Sequence, residues 1–175
     1  MENIKSACFT GHRNFSEVSK EMLFEKLVET IRNLYEEENV TNFYNGGAFG
    51  FDELAAKAVI YLRDLGRLPI KLFLVLPCPS EYQTKHWNLL DTIEHELLVK
   101  ASDVCFHTSK KYHRSCMFIR NKELVNRANS FCICYMDPTR KSGTSQTVNL
   151  AVEKGLKILN LFPFQGRSCG CESTV

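Results

Sequence analysis

Five short segments of this chain carry side chains that can hold an anion or move a proton, and each follows an apolar run of strand length. Thr10-Gly11-His12-Arg13 offers a glycine for close approach and a guanidinium that can grip phosphate or carboxylate with two hydrogen bonds. Residues 45–52 place Gly46, Gly47 and Gly50 in a turn that ends at a helix start. Bare backbone N–H groups and the positive end of a helix dipole meet there, which favours an anion. Lys141-Ser142-Gly143-Thr144-Ser145-Gln146-Thr147 is a second element of this kind, with Arg140 and Lys141 just outside it. Residues 107–120 lead to Arg120 and Asn121 near another helix start, and Pro77-Cys78-Pro79 completes the set.

Each residue also has a reading that needs no ligand. Arg13 can pair with a surface acid, and His12 can orient a ligand or face solvent. Asp52 reads either as the N-cap of its helix or as a group that contacts a ribose hydroxyl or polarises a water. Ser142 or Thr144 can cap the helix that follows. The spacing Gly46-Gly47-x-x-Gly50 is neither the dinucleotide fingerprint nor a P-loop, since no Gly-Lys-Ser/Thr follows. Cys105, His107, His113 and Cys116 match no zinc spacing, so no metal and no cofactor is expected. No Ser–His–Asp set is visible.

The elements that would position these groups follow from periodicity. Residues 5–9, 40–44, 70–76, 103–107, 131–135 and 157–161 read as strands. Between them run helical patterns: one capped by Ser16 with Phe24, Leu27, Val28, Ile31, Leu34 and Tyr35 on one face, and one from Asp52 closed by Gly66. A third carries Trp87, Leu90, Ile93 and Leu97, a fourth Met117, Leu124, Val125 and Ala128, and a fifth spans residues 145–154. Strict alternation predicts an α/β fold of three layers, α/β/α, with a mostly parallel sheet. The marked segments then share the rim at the strands' carboxyl ends, where such sheets bind ligands. One domain is expected over residues 1–162, with a tail from 163 to 175.

Composition bounds the function. The chain has 175 residues, 44% hydrophobic and 24% charged, enough for one buried core. A net charge of +2 argues against a nucleic-acid or membrane surface. No apolar stretch reaches the ~18 residues of a membrane span, and no secretory pattern is seen at the start, so a cytoplasmic location is expected. The eight cysteines read as free thiols, four of them in strands; Cys169 and Cys171 fall in the tail.

The ordered motifs FTGHR, NGGAFGFDELAA, LVLPCPSEYQTKHW, YHRSCMFIRNKELVNRA and SGTSQTVNLA resemble the YpsA-like branch of the SLOG superfamily over about residues 4–162. That superfamily also holds the LOG phosphoribohydrolases and the DNA-processing protein DprA. The resemblance implies a Rossmann-like nucleotide-binding domain, often dimeric, in which Gly46, Gly47, Asp52, Arg120, Asn121, Gly143 and Thr144 are site residues. Gly11, Arg13, Gly50 and Thr147 join them on the shared rim. LOG enzymes cleave the N-glycosidic bond of nucleoside monophosphates with a glutamate in a PGGxGTxxE motif. Aligning Gly143-Thr144 with that motif puts Thr147 at the glutamate's place, and a threonine supplies no carboxylate. Asp52 or Glu53, with Arg120, would have to stand in as catalytic groups. Three functions result: a nucleotide-binding sensor or processing module, a nucleotide N-glycosidase, and a DprA-like nucleic-acid binder, the last opposed by the charge.

Overall fold

The computed structural model describes residues 4–14 and 18–163. In chain order these form β1 (Lys5–Gly11), α1 (Lys20–Glu38), β2 (Val40–Asn45), α2 (Phe51–Asp64), β3 (Lys71–Leu76), α3 (Ser80–Gln83), α4 (Leu89–Ala101), β4 (Val104–His107), α5 (Cys116–Arg127), β5 (Phe131–Tyr135), α6 (Gly143–Glu153) and β6 (Lys157–Asn160). The six strands make one sheet in the order β4-β3-β2-β1-β5-β6. Every pairing is parallel, so the sheet is wholly rather than mostly parallel.

Period-two side chains explain why both faces are covered. Leu72, Leu74 and Leu76 of β3 join Phe9, Phe43 and Ile133 in a core shared with Leu27 and Ile31 of α1 and Ala55, Val59 and Leu62 of α2. Val75, one residue out of phase, lies in the opposite core with Cys8, Cys132, Cys134, Leu124 and Val125 of α5, and Val148 and Ala151 of α6. Each fully buried leucine contributes roughly 1.5–3 kcal/mol through area removed from water. The fold is therefore a three-layer, Rossmann-like α/β/α sandwich. The six cysteines among the described residues are free. Cys169 and Cys171 lie outside the described residues.

Three local expectations need correction. The cap of α1 is Ser19, whose side chain accepts the Met22 N–H at 3.1 Å; Ser16 lies outside the described residues. Gly50, not Asp52, is the N-cap of α2, and Asp52 is the second residue of the helix. Trp87 precedes α4, and Leu90 and Leu97 are exposed at 73% and 58%; the buried residues of that helix are His95 and Leu98. That stripe faces outward, and the opposite side of the helix is held to α3 by His95, whose Nε2 lies 3.1 Å from Ser80 Oγ.

The strand order fixes where loops diverge. From the central β1 the chain builds outward through β2, β3 and β4, then crosses to β5 and β6 on the other side. Loops leaving β1 and β5 therefore turn away from each other and open a crevice at their carboxyl ends.

Candidate ligand cleft at the carboxyl rim of the sheet

The glycine turn is first a packing device. Asn45, fully buried, accepts the Gly47 N–H at 2.8 Å and donates to the Asp52 carbonyl at 2.7 Å, folding the turn back on itself. Gln83 donates to the Gly47 carbonyl at 3.0 Å. Gly47 and Gly50 take φ of +65° and +87°, the left-handed region that side chains avoid. A Cβ on Gly50 would lie 2.4 Å from the Arg13 carbonyl oxygen. The turn is thus pressed against the exit of β1, where the His12 carbonyl accepts the Phe51 N–H at 3.2 Å.

This packing buries an ion pair. Asp52 and Arg120 are 5% and 8% exposed, and Arg120 Nη1 stands 3.5 Å from Asp52 Oδ2. At that length the bond is weak. Arg120 Nη2 meets only the Met117 sulfur, at 3.9 Å, and its buried Nε has no partner among the described residues. Burial pushes the Asp52 carboxyl up to about 6 against the opposing pull of Arg120 and the Ala48 N–H. Burial also pulls the Arg120 guanidinium below its ordinary value, and the nearby charge of Arg13 adds to that. Both shifts have one cause: two buried charges with too few partners.

The start of α6 faces the same cleft. Ser142 caps the helix through a reciprocal pair with Ser145, at 2.8 and 3.3 Å. The N–H groups of Gly143 and Thr144 find no acceptor among the described residues. A Cβ on Gly143 would meet nothing within 4 Å, so the backbone there is open.

Together these groups line a cleft of about 280 Å³. Of the residues expected from sequence, it gathers Gly11, Arg13, Asp52, Arg120, Asn121, Gly143 and Thr144. Gly46, Gly47 and Gly50 stand behind the wall rather than on it. Thr147 is fully buried, its hydroxyl spent on the Gly143 carbonyl at 2.8 Å, and does not line the cleft. Glu53 points elsewhere: consecutive helical residues diverge by about 100°, and Glu53 lines a neighbouring hollow and accepts a hydrogen bond from Lys57.

Thr10, His12, Ala48 and Ser142 line the cleft as well. His12, which the sequence leaves open between orienting a ligand and facing solvent, accepts the Asp137 N–H at Nε2, at 3.0 Å, and so ties the β5–α6 loop to β1. Of the two caps the sequence offers, Ser142 and Thr144, Ser142 is the one used. Nothing in the sequence marked Ala48. Among the described residues no group of three or more His, Cys, Asp or Glu comes together as a metal set. His113 instead bonds Ser109 at 2.9 Å, and Cys105 packs against the core.

A family model named YpsA, the YspA SLOG family, matches residues 7–161. The chain belongs to that family. The match takes in the carboxyl end of every strand, and SLOG membership points to a nucleotide-related function. Among curated proteins none matches this SLOG chain. No helix among its described residues is long and apolar enough to cross a membrane.

Proposed function

We propose that the cleft binds the phosphate of a nucleotide or nucleotide-derived small molecule, as a sensing or processing module. The observation that carries this reading is Arg120: a buried guanidinium with one long ion pair and an Nε that has no partner among the described residues, lining a cleft with the start of α6, whose first N–H groups find no acceptor among those residues. An anion there would complete the hydrogen bonds of Arg120, meet Arg13 and occupy a helix N-terminus. A cytoplasmic protein with no resident cofactor is part of the same reading. In a thermal-shift panel of nucleotides, nicotinamide dinucleotides and ADP-ribose, at least one compound should raise the melting temperature of the wild type and not that of Arg120→Ala. A flat response across the panel would sink the reading.

One observation favours a second reading, an N-glycosidase. A carboxyl near pKa 6 in a cleft is suited to proton transfer at neutral pH. Asp52 would then be the catalytic group, with Arg120 holding the phosphate. Glu53 would have no direct part, since it faces another hollow. The test is release of free base from nucleoside monophosphates. Turnover unchanged in Asp52→Asn would end this reading.

A further inference from the structure

A second hollow, of about 460 Å³, adjoins the cleft, and Arg13 lines both. We infer that it receives the nucleoside half of the ligand whose phosphate sits at Arg120, so that the site takes a nucleoside 5′-phosphate across Arg13 and not a lone phosphate or sugar phosphate. This inference rests on the phosphate reading above.

Charge separates the two compartments. The cleft at Arg120 has two guanidinium groups and a helix N-terminus against a single buried carboxyl, itself pushed up toward neutrality. The second hollow sets the side chains of Arg13 and Lys20 against those of Glu53 and Asp91, with Ser19 and Gly50, the N-cap residues of α1 and α2, also on its wall. Its formal balance is even, which suits a neutral group rich in hydrogen bonds better than a second phosphate. Ribose hydroxyls and exocyclic amines donate to carboxylates, and ring nitrogens accept from Lys and Arg.

Shape points the same way. The Arg13 guanidinium carbon lies 5.0 Å from the centroid of the Phe49 ring, and Phe49 meets Trp87 edge-on at 4.9 Å. Phe49 also lines the hollow. An arginine laid over an aromatic ring is a stacking platform for a flat heterocycle. Gly50 holds this platform in place, since its backbone is packed directly against that of Arg13. The volume is ample for a base and its ribose.

The experiment compares inorganic phosphate, ribose 5-phosphate and a set of nucleoside 5′-monophosphates by isothermal titration calorimetry on wild type, Phe49→Ala and Asp91→Asn. Far-ultraviolet circular dichroism and melting serve as folding controls. The inference expects at least one nucleotide to bind the wild type about tenfold or more tightly than ribose 5-phosphate, a conservative allowance for one stacked base. It expects that advantage to shrink in each variant while ribose 5-phosphate affinity holds. If nucleotides and ribose 5-phosphate bind equally, and neither variant changes that, the second hollow takes no part and the phosphate reading alone stands. If none of these phosphates binds the wild type, both fall. Should Phe49→Ala fail to fold, Asp91→Asn and Lys20→Ala carry the same test from the polar side.

Discussion

Gly46 and Arg120 are in contact behind the wall of the cleft: a Cβ on Gly46 would stand 1.6 Å from Arg120 Nη1 and 2.8 Å from Asp52 Oδ2. The glycine is what lets a guanidinium from α5 reach a carboxylate at the start of α2. The glycine turn and the arginine, 74 residues apart in sequence, are therefore one device.

Gly46→Ala should displace Arg120 and cost about 1–3 kcal/mol through overpacking, with loss of any Arg120-dependent ligand response. Gly143→Ala should do the opposite. With nothing within 4 Å of its Cβ, it should be neutral or stabilise by about 0.4–1 kcal/mol through the unfolded chain. Urea denaturation of the two variants separates these outcomes, and equal losses in both would contradict the packing account.

The Asp52–Arg120 pair should be a liability to the stability of the fold. Arg120→Met leaves Asp52 buried with one fewer cation, so its pKa should move above the present value of about 6 and the variant should be destabilised at pH 7. Arg120→Met combined with Asp52→Asn should regain much of that loss. A double variant no more stable than Arg120→Met would mean that the pair is not the source of the strain.

The pH dependence follows from the same carboxyl. Its folded pKa, about 6, lies above the ordinary 3.8, so the folded state holds the proton more tightly than the unfolded one. The contribution of Asp52 to stability is thus greatest below about pH 3.8 and is lost as pH rises through 6. Relative to Asp52→Asn, the wild type should lose at most about 3 kcal/mol between pH 4 and pH 7, taking 1.36 kcal/mol per unit. Parallel stability curves for the two proteins would refute the shift.

Sulfate, whose charge is constant over this range, isolates the effect on anion binding. Protonating Asp52 removes a negative charge beside Arg120. Sulfate affinity should therefore rise as pH falls through about 6 in the wild type, and stay level in Asp52→Asn. A sulfate affinity independent of pH in both would separate Asp52 from the anion site.

The alternation of strands and helices and the gathering of rim loops were legible because apolar period and glycine placement are local signals. The cleft positions of Gly11, Arg13, Arg120 and Asn121 followed from position after a strand. What sequence could not give was direction. Asp52 and Glu53 are neighbours with the same chemistry, yet one faces the cleft and the other a different hollow, and only the phase of α2 decides which. Likewise the apolar stripe of Leu90 and Leu97 has the spacing of a core face but lies on the surface. Thr147 aligned with a catalytic position, but its hydroxyl is committed to its own helix.

Phosphate binding by Arg120 is the central prediction. Calorimetry with a matched nucleoside and nucleoside 5′-monophosphate tests this on the wild type and on Arg120→Met/Asp52→Asn, which removes the charges without leaving a buried carboxylate unpaired. The account predicts that for at least one base the monophosphate binds the wild type about tenfold or more tightly than its nucleoside, the worth of a charge-assisted contact, and that the double variant erases this difference. Equal affinity for nucleoside and monophosphate on the wild type, or a phosphate preference that survives in the double variant, would contradict it.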